Sequence, residues 1–187
     1  MEQENLLRKV SEILESLNIP YIITGGIAVV VWGRPRFTAD IDIVVGLAAK
    51  KVDKFAEELL KIDKEVYVDK RMIQQALEKK GEFNFIHPGA GLKIDFWILK
   101  NDEFDRSRMA RRIKKKIAGI SIYLSSPEDL ILIKLLWYKE GRSTRQLEDI
   151  ESVLRIQKNL NWKYLRKWAK KQSTLKTFND LVKLSKK

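Results

Sequence analysis

FTADIDIVVG, residues 37–46, combines the composition of a buried β-strand with two carboxylates, Asp40 and Asp42. Its β-branched residues favour a strand. Because side chains alternate across a strand, both aspartates would share one face and the apolar residues the other. Two neighbouring carboxylates repel each other, and burial disfavours their ionisation, unless a cation lies between them. The stretch therefore predicts either a divalent-cation site or a strand end at which both aspartates are merely solvated.

The preceding segment predicts a place for an anion. YIIT, residues 21–24, is typical of a short buried strand; Gly25 and Gly26 predict a turn, and residues 27–33 predict a helix of about two turns. The first turn of a helix carries free backbone N–H groups at the positive end of the helix dipole, and glycine lets a phosphate approach closely. The alternative is that this glycine turn serves packing alone.

A third carboxylate, Asp95, lies in a later predicted strand, LKIDFWIL, residues 92–99. Alternation would place Lys93 and Trp97 on the face of Asp95 and apolar residues on the other face. Carboxylate oxygens on stiff strands suit Mg²⁺ or Mn²⁺ better than zinc, and phosphoryl chemistry with two metals needs several such oxygens. The alternative is that Asp95 pairs with Lys93 or with a neighbouring strand.

The remaining pattern predicts a mixed α/β part followed by a helical part. In the first part, a strand is expected over residues 64–70, a β-hairpin from residues 83–87 and 92–99, and a final strand region over 116–126. Apolar spacing predicts helices over residues 3–17, 48–62, 71–80, 127–139, 144–157, 161–171 and 174–185. We expect an α/β (α+β) fold, with a mixed-sheet core over 1–124 and a helical subdomain over 125–187 that packs on the core.

The charge of the chain is uneven. Its 187 residues include 37 Lys and Arg against 25 Asp and Glu, which gives a net charge of +12. Residues 151–187 alone hold 11 basic and 2 acidic residues. Such asymmetry favours a polyanion partner, most simply nucleic acid, although basic surfaces also occur on proteins without one.

Other features of the composition exclude whole classes of site. The chain has no cysteine, so disulfides and thiolate metal sites are excluded, and this is compatible with a cytoplasmic protein. Its one histidine, His87, is expected in a loop, which excludes a histidine-rich zinc site. No targeting segment or bilayer-spanning apolar stretch is visible in the sequence, so we expect no membrane partner.

Taken together, these motifs resemble the polymerase β-type nucleotidyltransferase superfamily. TGGIAVVVWGRPRFTADIDIVV, residues 24–45, followed by LKIDFWI, residues 92–98, matches its pattern of a glycine turn, a short helix, two aspartates one residue apart and a third acid on a later strand. More narrowly, R-x-T-x-D-I-D after a Gly-Gly turn, with SPEDLILIKLLWYKEGRSTRQLEDIESVL at residues 126–154, is similar to the AbiEii-like branch. The resemblance covers residues 23–154. One departure is Gly26, which stands where many members have a serine whose hydroxyl contacts the triphosphate.

The resemblance implies an enzyme that moves a nucleoside monophosphate from an NTP to an acceptor hydroxyl. Asp40 and Asp42 would bind the metals that bridge the triphosphate. Asp95 would help to hold the catalytic metal and would orient the attacking hydroxyl. The implied cofactor is Mg²⁺ or Mn²⁺, and the implied substrate is an NTP.

Several basic residues are candidates for contact with the nucleotide or the acceptor. Lys134 lies on a predicted helix that is apolar on nearly every side, so it either meets a distant anion, such as a triphosphate or an active-site aspartate, or extends its ammonium group to water. Arg145 and Asp149 are four residues apart on the next helix and either pair with each other or contact the substrate. We assign nucleotide binding to Thr24, Gly25, Gly26, Arg36 and Lys134, and possible phosphate or substrate contact to Arg34, Arg145 and Asp149.

The motifs do not specify the acceptor. The positive charge favours RNA, in particular the end of a tRNA, and the family resemblance admits a toxin with an antitoxin partner. A small-molecule acceptor of the antibiotic type is the rival, and it predicts an acidic acceptor cleft. A third hypothesis is a catalytically idle module that binds nucleotide or RNA; the missing turn serine supports it, and the presence of all three acids opposes it.

Overall fold

The computed structural model of this chain describes residues 2–117 and 119–185, and within them the chain forms six β-strands and nine α-helices. The strands are β1 (Tyr21–Thr24), β2 (Asp40–Val45), β3 (Glu82–His87), β4 (Leu92–Ile98), β5 (Ile113–Ile117) and β6 (Ile120–Leu124). The helices are α1 (Gln3–Ser16), α2 (Gly25–Trp32), α3 (Val52–Leu60), α4 (Lys70–Lys79), α5 (Glu103–Ala110), α6 (Pro127–Gly141), α7 (Thr144–Ile156), α8 (Trp162–Lys171) and α9 (Leu175–Ser185). Residues 1, 118, 186 and 187, which the expected domain ranges include, lie outside the described residues.

The chain divides into two compact units. The first comprises Met1–Ile23 and Thr38–Leu124, and the second comprises Thr24–Phe37 and Ser125–Lys187. The helix that follows the glycine pair thus belongs with the helices of the carboxyl-terminal part. The division of the chain into a nucleotidyltransferase core and a helical subdomain stays a prediction.

The six strands form one mixed sheet in the order β3-β4-β2-β1-β6-β5. β2 runs parallel to β4 and β1 runs parallel to β6, whereas β3 pairs antiparallel with β4 and β5 with β6. The expected fold class, a mixed sheet with flanking helices, is confirmed. The expected hairpin is also confirmed, since His87 lies opposite Leu92 at its turn.

Alternation along β2 and β4 separates a core face from a polar face. Ile41 and Ile43 of β2 and Ile94 and Phe96 of β4 are fully buried. On this core face the ring of Phe96 stacks on that of Phe83 with centroids 4.9 Å apart. The Phe55 ring of α3 meets Phe96 edge-on at 5.5 Å. This aromatic cluster anchors α3 on the sheet and leaves the other face of β2 and β4 to the aspartates.

The second unit is built from helices whose boundaries follow the sequence signals. Ser126 caps α6 by accepting a hydrogen bond from the backbone N–H of Asp129, and Pro127 occupies the first helical position. The apolar side of α8 buries Leu165 and Trp168, as its spacing requires. The four helices expected in the carboxyl-terminal part are confirmed to within two residues at each end.

Two local expectations are wrong. Residues 64–70 do not form a strand; within them Tyr67 makes an isolated bridge to Ile86. Gly25 and Gly26 are the first residues of α2 rather than a separate turn, and Gly25 has a φ of 58°, which glycine adopts without strain. The sequence pattern predicted no element over residues 100–115, where the structure has α5 and most of β5.

Within the described residues, every helix is too short or too polar to cross a lipid bilayer.

We predict that Phe96→Ala destabilises the protein by about 3–5 kcal/mol, because it removes a ring that two other rings contact and leaves a cavity in the core. Urea unfolding followed by circular dichroism measures this loss. Phe37→Ala is the matched control: Phe37 is 84% exposed, and the same truncation there should change the unfolding free energy by less than about 0.5 kcal/mol. Equal effects of the two substitutions would contradict the assignment of Phe96 to the core.

Candidate active site

Two aspartates of the first unit face each other across parallel strands. In the register of β2 and β4, Asp42 pairs with Asp95 and Asp40 pairs with Lys93. Registered partners point to the same side of a sheet, and so do residues two apart on one strand. Asp40, Asp42 and Asp95 therefore share one face, which the alternation of the sequence predicted for Asp40 and Asp42 and the strand pairing extends to Asp95. Asp40 is exposed at the start of β2, whereas the other two are half-buried.

The carboxylate of Asp95 forms an ion pair with Lys93. The Nζ atom of Lys93 lies 2.8 Å from one carboxylate oxygen of Asp95 and 3.0 Å from the other. This hydrogen bond raises the pKa of Lys93 above its ordinary value. The alternative weighed from the sequence, that Asp95 pairs with Lys93, therefore describes the arrangement seen here. The ammonium group supplies the positive charge that opposed carboxylates require.

Trp97 contributes a polar contact that sequence reasoning overlooked. Its indole N–H donates to Oδ1 of Asp42 over 3.4 Å. Sequence reasoning also overlooked Asn84, which lies opposite Asp95 in the β3–β4 register, so its side chain points to the same face. Its amide oxygen is buried without a hydrogen-bond partner among the described residues. Alternation from Asp95 placed Trp97 on this face, but the position of Asn84 depends on the hairpin register, which residue spacing alone does not supply.

In the second unit, Asp149 is the centre of a buried charge network. The Arg36 guanidinium forms a bidentate ion pair with its carboxylate: Nε donates to Oδ1 over 2.7 Å and Nη2 donates to Oδ2 over 2.8 Å. Lys134 Nζ lies 2.7 Å from Oδ2 of Asp149 and donates to Gln146 over 2.8 Å. The distant anion expected for Lys134 is thus the carboxylate of Asp149. Arg145 does not pair with Asp149 and instead donates to the backbone carbonyl of Phe37.

Two opposing effects act on the pKa of Asp149. Burial raises it, whereas the hydrogen bonds and charges of Arg36 and Lys134 lower it. The two cations together outweigh burial, so the pKa of Asp149 lies below its ordinary value. Asp149 is therefore ionised at neutral pH, and its charge stabilises two cations, of which Lys134 is almost completely buried. A group whose pKa is lowered by folding contributes stability above its unfolded pKa and loses it as the pH falls through the folded value.

The other nucleotide-binding candidates also lie in the second unit. Thr24, Gly25 and Gly26 are all buried, and the hydroxyl of Thr24 has no hydrogen-bond partner among the described residues. Arg34 is exposed, and its backbone N–H donates to the hydroxyl of Ser152. The roles that the sequence assigned to these residues stay predictions.

One group of three possible metal ligands stands out among residues 2–117 and 119–185. The donor atoms of Asp63, Glu65 and His87 all lie within 4.8 Å of one another. Asp40, Asp42 and Asp95 do not form such a group among the described residues. The expectation that His87 lies in a loop is wrong, because it is the last residue of β3 and is 4% exposed.

Comparison with known proteins identifies the family. The sequence model of a family described as "Nucleotidyltransferase of unknown function (DUF6036)" matches residues 2–183. The chain belongs to this family. This DUF6036 protein is therefore a nucleotidyltransferase, as the resemblance in its sequence implied. None of the curated proteins matches it significantly.

Solved structures support the fold of this DUF6036 chain. An antigenic nucleotidyltransferase-like protein from Paracoccidioides brasiliensis is 20% identical with a TM-score of 0.57, over 98% of this chain and 94% of that one. The lincosamide antibiotic adenylyltransferase LnuA is 15% identical with a TM-score of 0.55, over 84% and 99%. The antibiotic-resistance factor ANT(2'')-Ia is 15% identical with a TM-score of 0.54, over 95% and 91%. At these identities the likeness concerns the fold alone.

We predict that Asp149→Asn lowers the free energy of unfolding by about 3–5 kcal/mol at pH 7, because it leaves two cations without their anion. The difference from the wild type should narrow below about pH 4, where the wild-type carboxyl begins to take up its proton in the unfolded state. Urea unfolding at several pH values measures both effects.

Glu148→Gln is the matched control for this prediction, since Glu148 is the exposed neighbour of Asp149 on α7. It should shift the unfolding free energy by less than about 0.5 kcal/mol. A destabilisation by Asp149→Asn that stays constant down to pH 3 would contradict the electrostatic role of Asp149.

Proposed function

We propose that this enzyme transfers a nucleoside monophosphate from an NTP to an acceptor hydroxyl, using Mg²⁺ or Mn²⁺ held by Asp40, Asp42 and Asp95. The observation that carries the proposal is the direct opposition of Asp42 and Asp95 on parallel β2 and β4, with Asp40 on the same face. Rigid strands fix the direction of each carboxylate, and positioning is the main contribution of the protein to phosphoryl transfer.

The residues present fit a divalent cation. Their donors are carboxylate oxygens, which Mg²⁺ and Mn²⁺ prefer. The Lys93 ammonium, within 3.0 Å of both oxygens of Asp95, already stands where a cation is favoured. When bound, the metal supplies positive charge that stabilises the charge developing on the phosphate and on the attacking oxygen. Trp97 orients the Asp42 carboxylate through its indole N–H, and Lys93 has to release Asp95 before that carboxylate meets another partner.

We further propose an RNA acceptor, such as the end of a tRNA. The support is electrostatic: α8 exposes Lys163, Arg166, Lys167 and Lys170 along one side, and the carboxyl-terminal fifth of the chain is strongly basic. Such a face attracts phosphates independently of base sequence. A place in the AbiEii-like branch, and with it a toxin role and an antitoxin partner, rests on the sequence motifs alone.

We predict that Asp95→Asn separates nucleotide binding from transfer. The amide keeps the size of the side chain but removes the charge needed to orient the acceptor, so NTP affinity should stay within about tenfold of the wild type, or ~1.4 kcal/mol. Incorporation of labelled NMP into total RNA with Mg²⁺ should fall by at least ~100-fold, about 2.7 kcal/mol in the barrier. Filter binding and a gel assay with each labelled NTP measure the two quantities.

Glu78→Gln, at an exposed carboxylate of α4, is the control for this substitution and should alter neither quantity. Near-normal transfer by Asp95→Asn would make Asp95 a structural residue and remove it from the proposed mechanism. Absence of transfer by the wild-type protein with every NTP would count against catalysis itself and favour a module that only binds. Label on a small molecule rather than on RNA would refute the RNA acceptor.

We predict that RNA binding weakens steeply with salt, because contact with phosphates releases counterions. Lys163→Glu with Arg166→Glu should reduce affinity and lower the slope of log K against log salt by about one per lost phosphate contact. Lys50→Glu with Lys79→Glu makes the same charge change at exposed lysines of the first unit and should have the smaller effect. Equal losses in both double variants would show that total charge, and not the α8 face, governs RNA binding.

A further inference from the structure

The group formed by Asp63, Glu65 and His87 lies away from the aspartate face. His87 is on β3, three residues after Asn84. Because Asn84 is the registered partner of Asp95, alternation places His87 on the opposite face of the β3–β4 hairpin. This is the face of the buried Phe83 ring. The catalytic carboxylates therefore do not account for this cluster.

His87 is a buried polar side chain with an unused nitrogen. Its imidazole is 4% exposed, and Nε2 has no hydrogen-bond partner within residues 2–117 and 119–185. Oδ2 of Asp63 lies 3.7 Å from Nε2, which is too long for a hydrogen bond. Oε2 of Glu65 lies 3.8 Å from the other ring nitrogen, Nδ1. Burial of a polar nitrogen without a partner is unfavourable, so the arrangement is suited to a group that would sit between these atoms.

Both carboxylates are held toward the imidazole. Oδ1 of Asp63 accepts a hydrogen bond from the backbone N–H of Glu65, which leaves Oδ2 facing His87. Glu65 fits because residue 89 is glycine: a Cβ atom there would lie 1.8 Å from Oε2 of Glu65. The side chains of Asp63 and Glu65 are 36% and 50% exposed, so a solute can reach the cluster from water.

We propose that Asp63, Glu65 and His87 bind a divalent transition-metal ion, of which zinc is the prime candidate. One imidazole nitrogen with two carboxylate oxygens is a donor set that zinc accepts and that Mg²⁺, with its preference for oxygen alone, does not favour. Ligand atoms around one zinc ion at 2.0–2.2 Å are roughly 3–4 Å apart. Oδ2 of Asp63 is already 3.7 Å from Nε2, and the donor atoms of all three residues lie within 4.8 Å of one another. Glu65, which now faces Nδ1, has to rotate toward Nε2 to join them on one ion.

Binding of the ion at Nε2 requires the other tautomer of the His87 imidazole. The backbone N–H of Ala90 donates to Nδ1 over 3.2 Å, so the neutral imidazole carries its proton on Nε2. When Nε2 binds zinc, the proton moves to Nδ1, and the bond from Ala90 is lost. Ala90 is half-buried at the hairpin turn, so its N–H can turn to water. The exchange keeps the ring neutral and gives the buried Nε2 a partner.

Zinc at this position links two segments at the edge of the sheet. Asp63 and Glu65 belong to the connection between α3 and α4, whereas His87 ends the edge strand β3. In the structure, this connection is joined to β3 by the isolated bridge between Tyr67 and Ile86. The ion therefore adds a second tie beside that bridge and stabilises the outer hairpin of the sheet.

The test uses the full, tag-free chain and zinc ions without nucleotide. Because His87 is the only histidine, the imidazole signals in a ¹H–¹⁵N spectrum belong to it alone. Zinc should shift the Nε2 signal with a stoichiometry of one and raise the melting temperature. If the His87 imidazole signals shift when the pH is lowered but do not shift when zinc is added, the proposal is overturned.

Variants at the exposed ligands test the site without touching the core. Asp63→Asn and Glu65→Gln should each weaken zinc binding at least ~tenfold, equivalent to ~1.4 kcal/mol. Glu57→Gln, at an exposed acid of α3, is the matched control and should bind zinc as the wild type does. Asp42→Asn should also bind zinc normally, which distinguishes this site from the aspartate face. Unchanged zinc affinity in both ligand variants, or loss of binding in Asp42→Asn, would place the ion elsewhere and refute the site.

Discussion

The chemistry proposed for this protein depends on the opposition of two like charges in a sheet. Parallel pairing of β2 with β4 holds Asp42 directly opposite Asp95, and neighbouring strands are only about 4.8 Å apart. Such a pair is unfavourable unless a positive charge accompanies it. Lys93, two residues before Asp95 on the same face, supplies that charge here. An ammonium and a metal ion would compete for the same oxygens, so the residue that stabilises the folded sheet also opposes the loading of the proposed catalytic site.

In the second unit, one carboxylate neutralises two cationic side chains. Arg36 precedes β2 in the sequence and Lys134 lies on α6. The carboxylate of Asp149, on α7, forms ion pairs with both. A buried lysine without an anion would lose its proton or destabilise the helix that carries it. The network therefore gives Arg36 and Lys134 a structural reason to be present. A direct role for either residue in nucleotide binding requires that it leave Asp149 or contact the nucleotide while still paired.

The spacing of apolar residues and the turn and cap residues correctly predicted those features that depend only on neighbouring residues. Alternation around Asp40 and Asp42 gave their shared face, and the Ser126–Pro127 signal gave the start of α6, because both follow from neighbouring residues. The partner of Lys134 was not predictable, since it depends on how α6 packs on α7. The segment at residues 64–70 has strand composition but forms one bridge, through Tyr67. A strand requires a paired neighbour along its length, and composition does not report one.

Strand alternation also explains how one hairpin carries the residues of both proposed sites. Along β4, Asp95 points to the polar face, while Phe96 points into the aromatic core. Along β3, Asn84 faces Asp95, whereas His87 faces the opposite side and meets Asp63 and Glu65. A substitution or ion that shifts β3 by even one residue would exchange these faces, since register and side-chain direction are inseparable in a sheet. The edge position of β3 makes that register the less protected one, because only β4 pairs with it along its length. The tie proposed at His87 would therefore act on the edge strand, whose register sets the position of Asn84 opposite Asp95.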